Sequence, residues 1–198
     1  MSFTSNANGP RGFDVAKGRN GTPNRNLDLR IGGTYATKIY AGQPVAVDAT
    51  SGELIVLADD ANKVAGVFDG CEYVDANGDI KFSNYWPAPG AVKSGTTVKA
   101  RVYDATDALF LIHADAALTQ AMVGDFFALT TTVGTGGSTV TGRSSAQLDV
   151  ATVNAAATGL LVQLVEISPR EEGGDEVGTL AVVQFVRPQF GAAIDGAA

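Results

Sequence analysis

Residues 137–145 read GSTVTGRSS, one residue away from a phosphate-binding loop. Gly137, four residues, Gly142, Arg143 and Ser144 keep that loop's spacing, but arginine stands where it needs lysine. The chemistry at stake is anion recognition, in which backbone N–H groups and the positive end of a following helix cradle a phosphate. The flanks oppose it. DFFALTTTVGTG upstream reads as a strand, as the motif requires. SSAQLDVATV downstream has Ala146, Leu148 and Val150 alternating with no 3.6-residue repeat, so it reads as a second strand and not a helix. Arginine's planar fork does not replace a compact ammonium in a tight loop. The segment is expected to be a hairpin.

Other chemistry-bearing residues are few. Cys71 is the only cysteine, which excludes an intramolecular disulfide and a zinc cluster. His113, the only histidine, lies in the apolar run ALFLIHA and is expected to be a half-buried strand residue. Nothing in the spacing brings it to Cys71 as a nucleophile–base pair. DANGD (Asp75 to Asp79) has its glycine too early for a calcium loop and lacks the distal glutamate, so it reads as a turn. REEGGDE (Arg170 to Glu176) suits a solvated loop between strands. No catalytic residue, cofactor or metal ligand is expected.

The elements that must carry these residues are short and extended. TYATKIYAG, PVAVDAT, LIVLA, KVAGVFDGCEYV, DIKFSNYW, TTVKARVYD, ALFLIHA, DFFALTTT, AQLDVAT, GLLVQLVEIS and GTLAVVQFVRP alternate or run apolar between turns rich in Gly, Asn and Ser. Asn77-Gly78 is a strong hairpin signal. Val98, Ala100 and Val102 are expected to face inward, with Lys99, Arg101 and Tyr103 outward. GLLVQLVEIS and GTLAVVQFVRP are apolar on both faces, which places them centrally or beneath another subunit. Only ADAALTQAM (114–122) suggests a short helix. The expected fold is all-β, a compact sandwich or barrel of about ten short strands. Residues 41–58 and 123–142 echo one another weakly, each running glycine, polar residue, apolar strand, glycine-containing turn and strand, which two related hairpin units or chance in a glycine-rich β protein would explain.

The chain has 198 residues with a formal net charge of −7. The first forty hold six basic residues against two acidic, a net +4, and the remainder hold eight against nineteen, a net −11. Such a balance opposes a nucleic-acid-coating role. No stretch reaches the ~20 apolar residues of a membrane span, and no signal-peptide core is evident at the start. Residues 1–33 are rich in Asn, Gly and Arg. They are expected to form an extended basic arm outside the core, with Arg11, Lys17, Arg19, Arg25 and Arg30 contacting a partner or a neighbouring copy. The alternative is a leader without a role. Residues 34–190 are expected to form the body and 191–198 a flexible tail. Tyr85 and Trp86 in NYWPAPG suit either an exposed aromatic contact or a plug closing one end of a barrel.

A resemblance adds to this reading. AGQPV, GVFDGCEY, YWP and TGRSS, within a span of about residues 12–190, resemble head decoration (cement) proteins of tailed-bacteriophage virions. The resemblance implies a β-rich protein, made in the host cytoplasm, that sits on the capsid exterior. There it would bind the major capsid protein, often as a trimer, with no nucleic acid, membrane or small-molecule substrate as partner. A tail-tube, tail or adhesin component is the structural alternative. GRSS also resembles the Arg-Ser-Ser element of trimeric dUTPases, but the catalytic Asp–Tyr segment and glycine-rich tail of that family do not appear.

Overall fold

The computed structural model describes residues 11–18, 26–60, 62–130, 136–168 and 180–190. The fold is all-β. The first strands are β1 (Asp14–Gly18), β2 (Asn26–Ile31), β3 (Ile39–Tyr40), β4 (Gln43–Val47), β5 (Leu54–Val56), β6 (Gly66–Val74) and β7 (Ile80–Ser83). They are followed by β8 (Tyr85–Trp86), β9 (Val98–Asp104), β10 (Ala108–His113), β11 (Phe126–Leu129), β12 (Leu148–Asn154), β13 (Val162–Ile167) and β14 (Leu180–Phe185). Two antiparallel sheets form, ordered β1-β10-β14-β13-β11-β12 and β2-β9-β6-β4-β5, with β7 added to β6 and a two-stranded β3-β8 sheet beside them. Among the described residues the helical elements are three-residue 3₁₀ turns at Pro89–Ala91 and Gln120–Met122, and no helix is long and apolar enough to cross a membrane.

Two cores hold the sheets. The larger joins both, with Val67, Phe110, Phe127, Leu148, Leu164 and Val183 among its buried members. The second lies inside the five-stranded sheet, where Ile31, Val45, Phe68, Val98, Val102 and Trp86 meet. That sheet curls until its edges approach: Arg30 at β2 bridges Glu53 before β5 at 3.6 Å, and the Tyr35 hydroxyl accepts the Val56 N–H at 2.9 Å. Curling encloses a core that a flat sheet of this size leaves open. In β9 the inward set is Val98, Ala100 and Val102, as the alternation predicts; Lys99 and Arg101 are exposed and Tyr103 is partly so. The doubly apolar β13 and β14 lie inside the six-stranded sheet, so their central position accounts for both apolar faces.

The sequence echo has a structural counterpart at its first strand alone, since β5 falls within 41–58 but β12 begins beyond 142, and the resemblance between the two units lies in strand order. β4, β5, β6 and β9 are ordered β5-β4-β6-β9, and β11, β12, β13 and β14 are ordered β12-β11-β13-β14. A positive-φ glycine precedes the first strand of each unit, Gly42 (φ 81°) and Gly124 (φ 101°). Gly42 donates its N–H to Phe68 O, and Gly124 donates to Leu164 O, both at 2.8 Å. Each acceptor immediately precedes an irregularity in its ladder, between Phe68 and Gly70 and between Leu164 and Glu166. The body is therefore a topological repeat of one four-stranded unit.

Two expectations are corrected. The described parts of the first 33 residues are not an arm outside the core. β1 pairs with β10 and β2 pairs with β9 along its whole length. Phe13 is buried against the Phe185 and Phe110 rings, with centroids 5.1 and 6.1 Å away, and Ile31 is fully buried. The low apolar average of this segment hides a period-two set, Leu27, Leu29 and Ile31, that fits the curled sheet's interior. Residues 1–10, 19–25 and 191–198 lie outside the described residues. The helix expected at 114–122 reduces to the turn at Gln120–Met122, because Ala114 bridges Leu148 and the Asp115 N–H donates to Leu148 O at 3.0 Å. So short a helix has little stability of its own to oppose those contacts.

Candidate functional site

AGQPV, GVFDGCEY, YWP and TGRSS converge on one junction. The Ala41 N–H lies between two carbonyls, Asn84 O at 3.0 Å and Gly142 O at 2.9 Å. Ala41 O in turn accepts the Ser144 N–H at 2.9 Å, and Gly42 O accepts the Phe13 N–H at 2.8 Å. The Tyr40 and Tyr85 rings stack with centroids 6.0 Å apart. Gly12 (φ 71°) passes so close to Gly42 O and Ser144 that a Cβ there would collide with both. Gly142 (φ 68°) likewise leaves room for the Asn84 side chain, whose Nδ2 donates to Thr141 O at 2.8 Å.

Residues 137–145 form the expected hairpin, with Gly137 opposite Ser144. Most of their backbone donors are engaged. Ser138 N–H donates to Arg143 O, Gly142 N–H to Ser138 O and Ser145 N–H to Gly136 O. Val140 and Thr141 donate to the Ser138 hydroxyl, and Arg143 donates to the Thr141 hydroxyl. A phosphate cradle needs these groups free and convergent. Arg143 instead binds Asp14 at 2.8 Å and ties the hairpin to β1.

Beside this ion pair lies a cleft of about 290 Å³ whose polar lining is Asp14, Asp69, Tyr103 and Arg143. Burial, and then the Asp69 carboxylate, push the Tyr103 phenol above its ordinary value, so it stays protonated at neutral pH. The cleft offers hydrogen-bonding groups without a nucleophile beside a base.

The remaining sequence candidates are separated. Cys71 is in β6 of the curled sheet, its thiol pushed up to about 12 by burial and placed 3.6 Å from Tyr85 O. His113 is half-buried in β10 of the other sheet. The Asp75–Asp79 segment is a turn: Asp75 Oδ1 accepts the N–H groups of Asp79 and Asn77 at 3.0 and 2.9 Å. The Asp79 amide above all holds that carboxyl below its usual range. Among the described residues no three His, Cys, Asp or Glu side chains converge on a metal-sized site. Arg170–Glu176 lies outside the described residues.

Of the basic residues assigned to the arm, Lys17 bridges Glu166 at 3.2 Å and Arg30 bridges Glu53. Arg11 is exposed where the chain enters the junction, and Arg19 and Arg25 lie outside the described residues. Trp86 is fully buried and donates its indole N–H to Tyr35 O at 2.9 Å, which removes it as a surface contact. Tyr85 is half-buried against Tyr40.

Two features escaped the sequence. Ile80 and Phe82 are 62% and 74% exposed on β7, although alternation after an Asn-Gly turn normally marks a covered face. Asp60, in the loop after β5, has one carboxylate oxygen buried without a hydrogen-bond partner among the described residues. Burial first, and then the Asp59 and Asp149 charges, push its carboxyl up to about 6 against the pull of the Leu129 N–H. No spacing rule reveals it, because Leu129 and Asp149 arrive from the second unit.

Comparison with protein-family models, with curated proteins and with solved structures gives no match.

Proposed function

We propose that this chain is a structural protein of a tailed-bacteriophage virion that binds the outer surface of the head and stabilises the coat lattice. One observation carries the reading: the segments that resemble decoration proteins form a single packing junction, its backbone donors and rings engaged within the chain and the half-exposed Arg143–Asp14 pair tying the hairpin to β1. Residues used this way build a rigid body for contact, not a reaction centre. The acidic balance of the chain supports a protein partner over nucleic acid. The partner in this reading is the major capsid protein, with copies grouped as a homo-oligomer, a trimer in the family that the sequence resembles. Lys17 and Arg30 are satisfied within the chain, so attachment rests less on them than a free arm would require.

The test is co-sedimentation of the purified protein with isolated heads, and separately with isolated tails. Saturable binding to heads, with raised resistance to heat-induced DNA loss, is the expected result. Binding to tails alone favours the tail-component reading, and binding to neither overturns the proposal.

A further inference from the structure

We propose that β7 is a self-association edge through which two copies of this chain pair antiparallel about a two-fold axis. Residues 76–82 are seven consecutive exposed positions, at the tip and along the second strand of the β6–β7 hairpin. Among the described residues β7 pairs with β6 alone, so its other edge presents backbone donors and acceptors that a further strand can take. Ile80 and Phe82 lie on one face of this edge, opposite Val74 and Glu72 of β6. Two large apolar side chains at such exposure, side by side on an open strand, mark a contact surface.

The rest of the face indicates the occupant. Next to the apolar rim, Lys99 binds Asp28 at 2.8 Å and Arg101 lies 3.9 Å from Asp69. The cations are matched by acids within the chain, so the face presents no charge excess for a polyanion or a strongly acidic partner. The strand is, however, its own complement. A two-fold axis normal to the sheet keeps every side chain on its face, and residues of like parity then oppose one another. With Ile80 on the axis, Asp79 of each copy faces Lys81 of the other, which exchanges the 3.9 Å contact that Lys81 makes with Asp79 in its own chain, where it also lies 3.5 Å from Asp75. Phe82 then reaches Gly78 (φ 95°) in the turn ahead of the other copy's β7, where a side-chain carbon would meet nothing within 4 Å. The neighbouring register, with Lys81 on the axis, sets two ammonium groups directly opposite and is disfavoured. A strand this short buries little area, so the pairing is weak in dilute solution and gains strength where copies are held close together. It joins single copies or, equally, neighbouring oligomers.

Sedimentation equilibrium of the full chain from micromolar to millimolar concentration tests this. The expected result is a reversible doubling of the starting mass. Phe82→Ser should weaken the doubling on the order of a hundredfold, because each pair loses two covered rings. Lys81→Asp should weaken it about tenfold, and the exchange Asp79→Lys with Lys81→Asp should restore it. Melting curves of all variants should stay close to that of the parent, since these side chains are exposed. No concentration-dependent mass, or doubling untouched by Phe82→Ser, overturns the proposal; failure of a folded double exchange to restore association overturns the register.

Discussion

Asp60→Asn should stabilise this protein at neutral pH and leave it unchanged in acid. The Asp60 carboxyl rises from an ordinary 3.8 to about 6 on folding, because one oxygen is buried with no partner among the described residues and Asp59 and Asp149 are near. The folded chain therefore keeps a proton that the unfolded chain has lost. Below about pH 4 both states are protonated and the carboxyl costs nothing. Between about pH 4 and 6 the unfolded chain ionises while the folded chain keeps its proton, so stability falls across that window and levels off above about 6, where the folded state holds a half-buried charge. About two pH units correspond to roughly 3 kcal/mol. Asp60 is partly solvated, and screening reduces this to about 1–1.5 kcal/mol. Asparagine keeps an oxygen for the Leu129 N–H and removes the charge. Thermal melts at pH 7.5 should then place Asp60→Asn about 3–5 °C above the parent, a chain of this size shifting about 2–4 °C per kcal/mol. At pH 4 the two curves should coincide. An equal gain at both pH values, or none at 7.5, would refute the assignment of strain to the ionised carboxylate.

Three further outcomes follow from the same contacts. Phe13→Ala should cost about 3–5 kcal/mol, read by urea denaturation, because its ring is buried against Phe110 and Phe185; an external arm would give almost no change. Arg143→Lys completes the phosphate-loop pattern, yet calorimetry with ATP, GTP or dUTP should still register no binding, since most of the loop's N–H groups are already bonded. Cys71 should resist alkylation in the native protein and react promptly in denaturant, its buried thiol being uncharged at neutral pH.

Much of the fold was legible because most strands declare themselves locally. TTVKARVYD alternates cleanly, Asn77-Gly78 closes β6 and β7, and the apolar runs at 162–167 and 180–185 announce central strands. The echo between 41–58 and 123–142 starts at Gly42 and Gly124, the two glycines that open the repeated units. The first 33 residues misled because an average over glycine and asparagine outweighed Phe13 and the alternating Leu27, Leu29 and Ile31. Alternation also cannot tell a covered face from a bare one. Ile80 and Phe82 have the pattern of a core strand, and only their place on an edge leaves them in solvent. Trp86 shows the converse, an aromatic in a turn-rich stretch that the small β3-β8 sheet pulls inside.

In the proposed function this protein occupies a definite position on a virus particle. A three-dimensional electron-microscopy reconstruction of the virion, at a resolution that separates strands, tests it most directly. Density on the outside of the head that fits the curled five-stranded sheet and its six-stranded companion, seated on the coat lattice, is the expected result. A head surface bare of that density, or the same two sheets found in the tail, would contradict it.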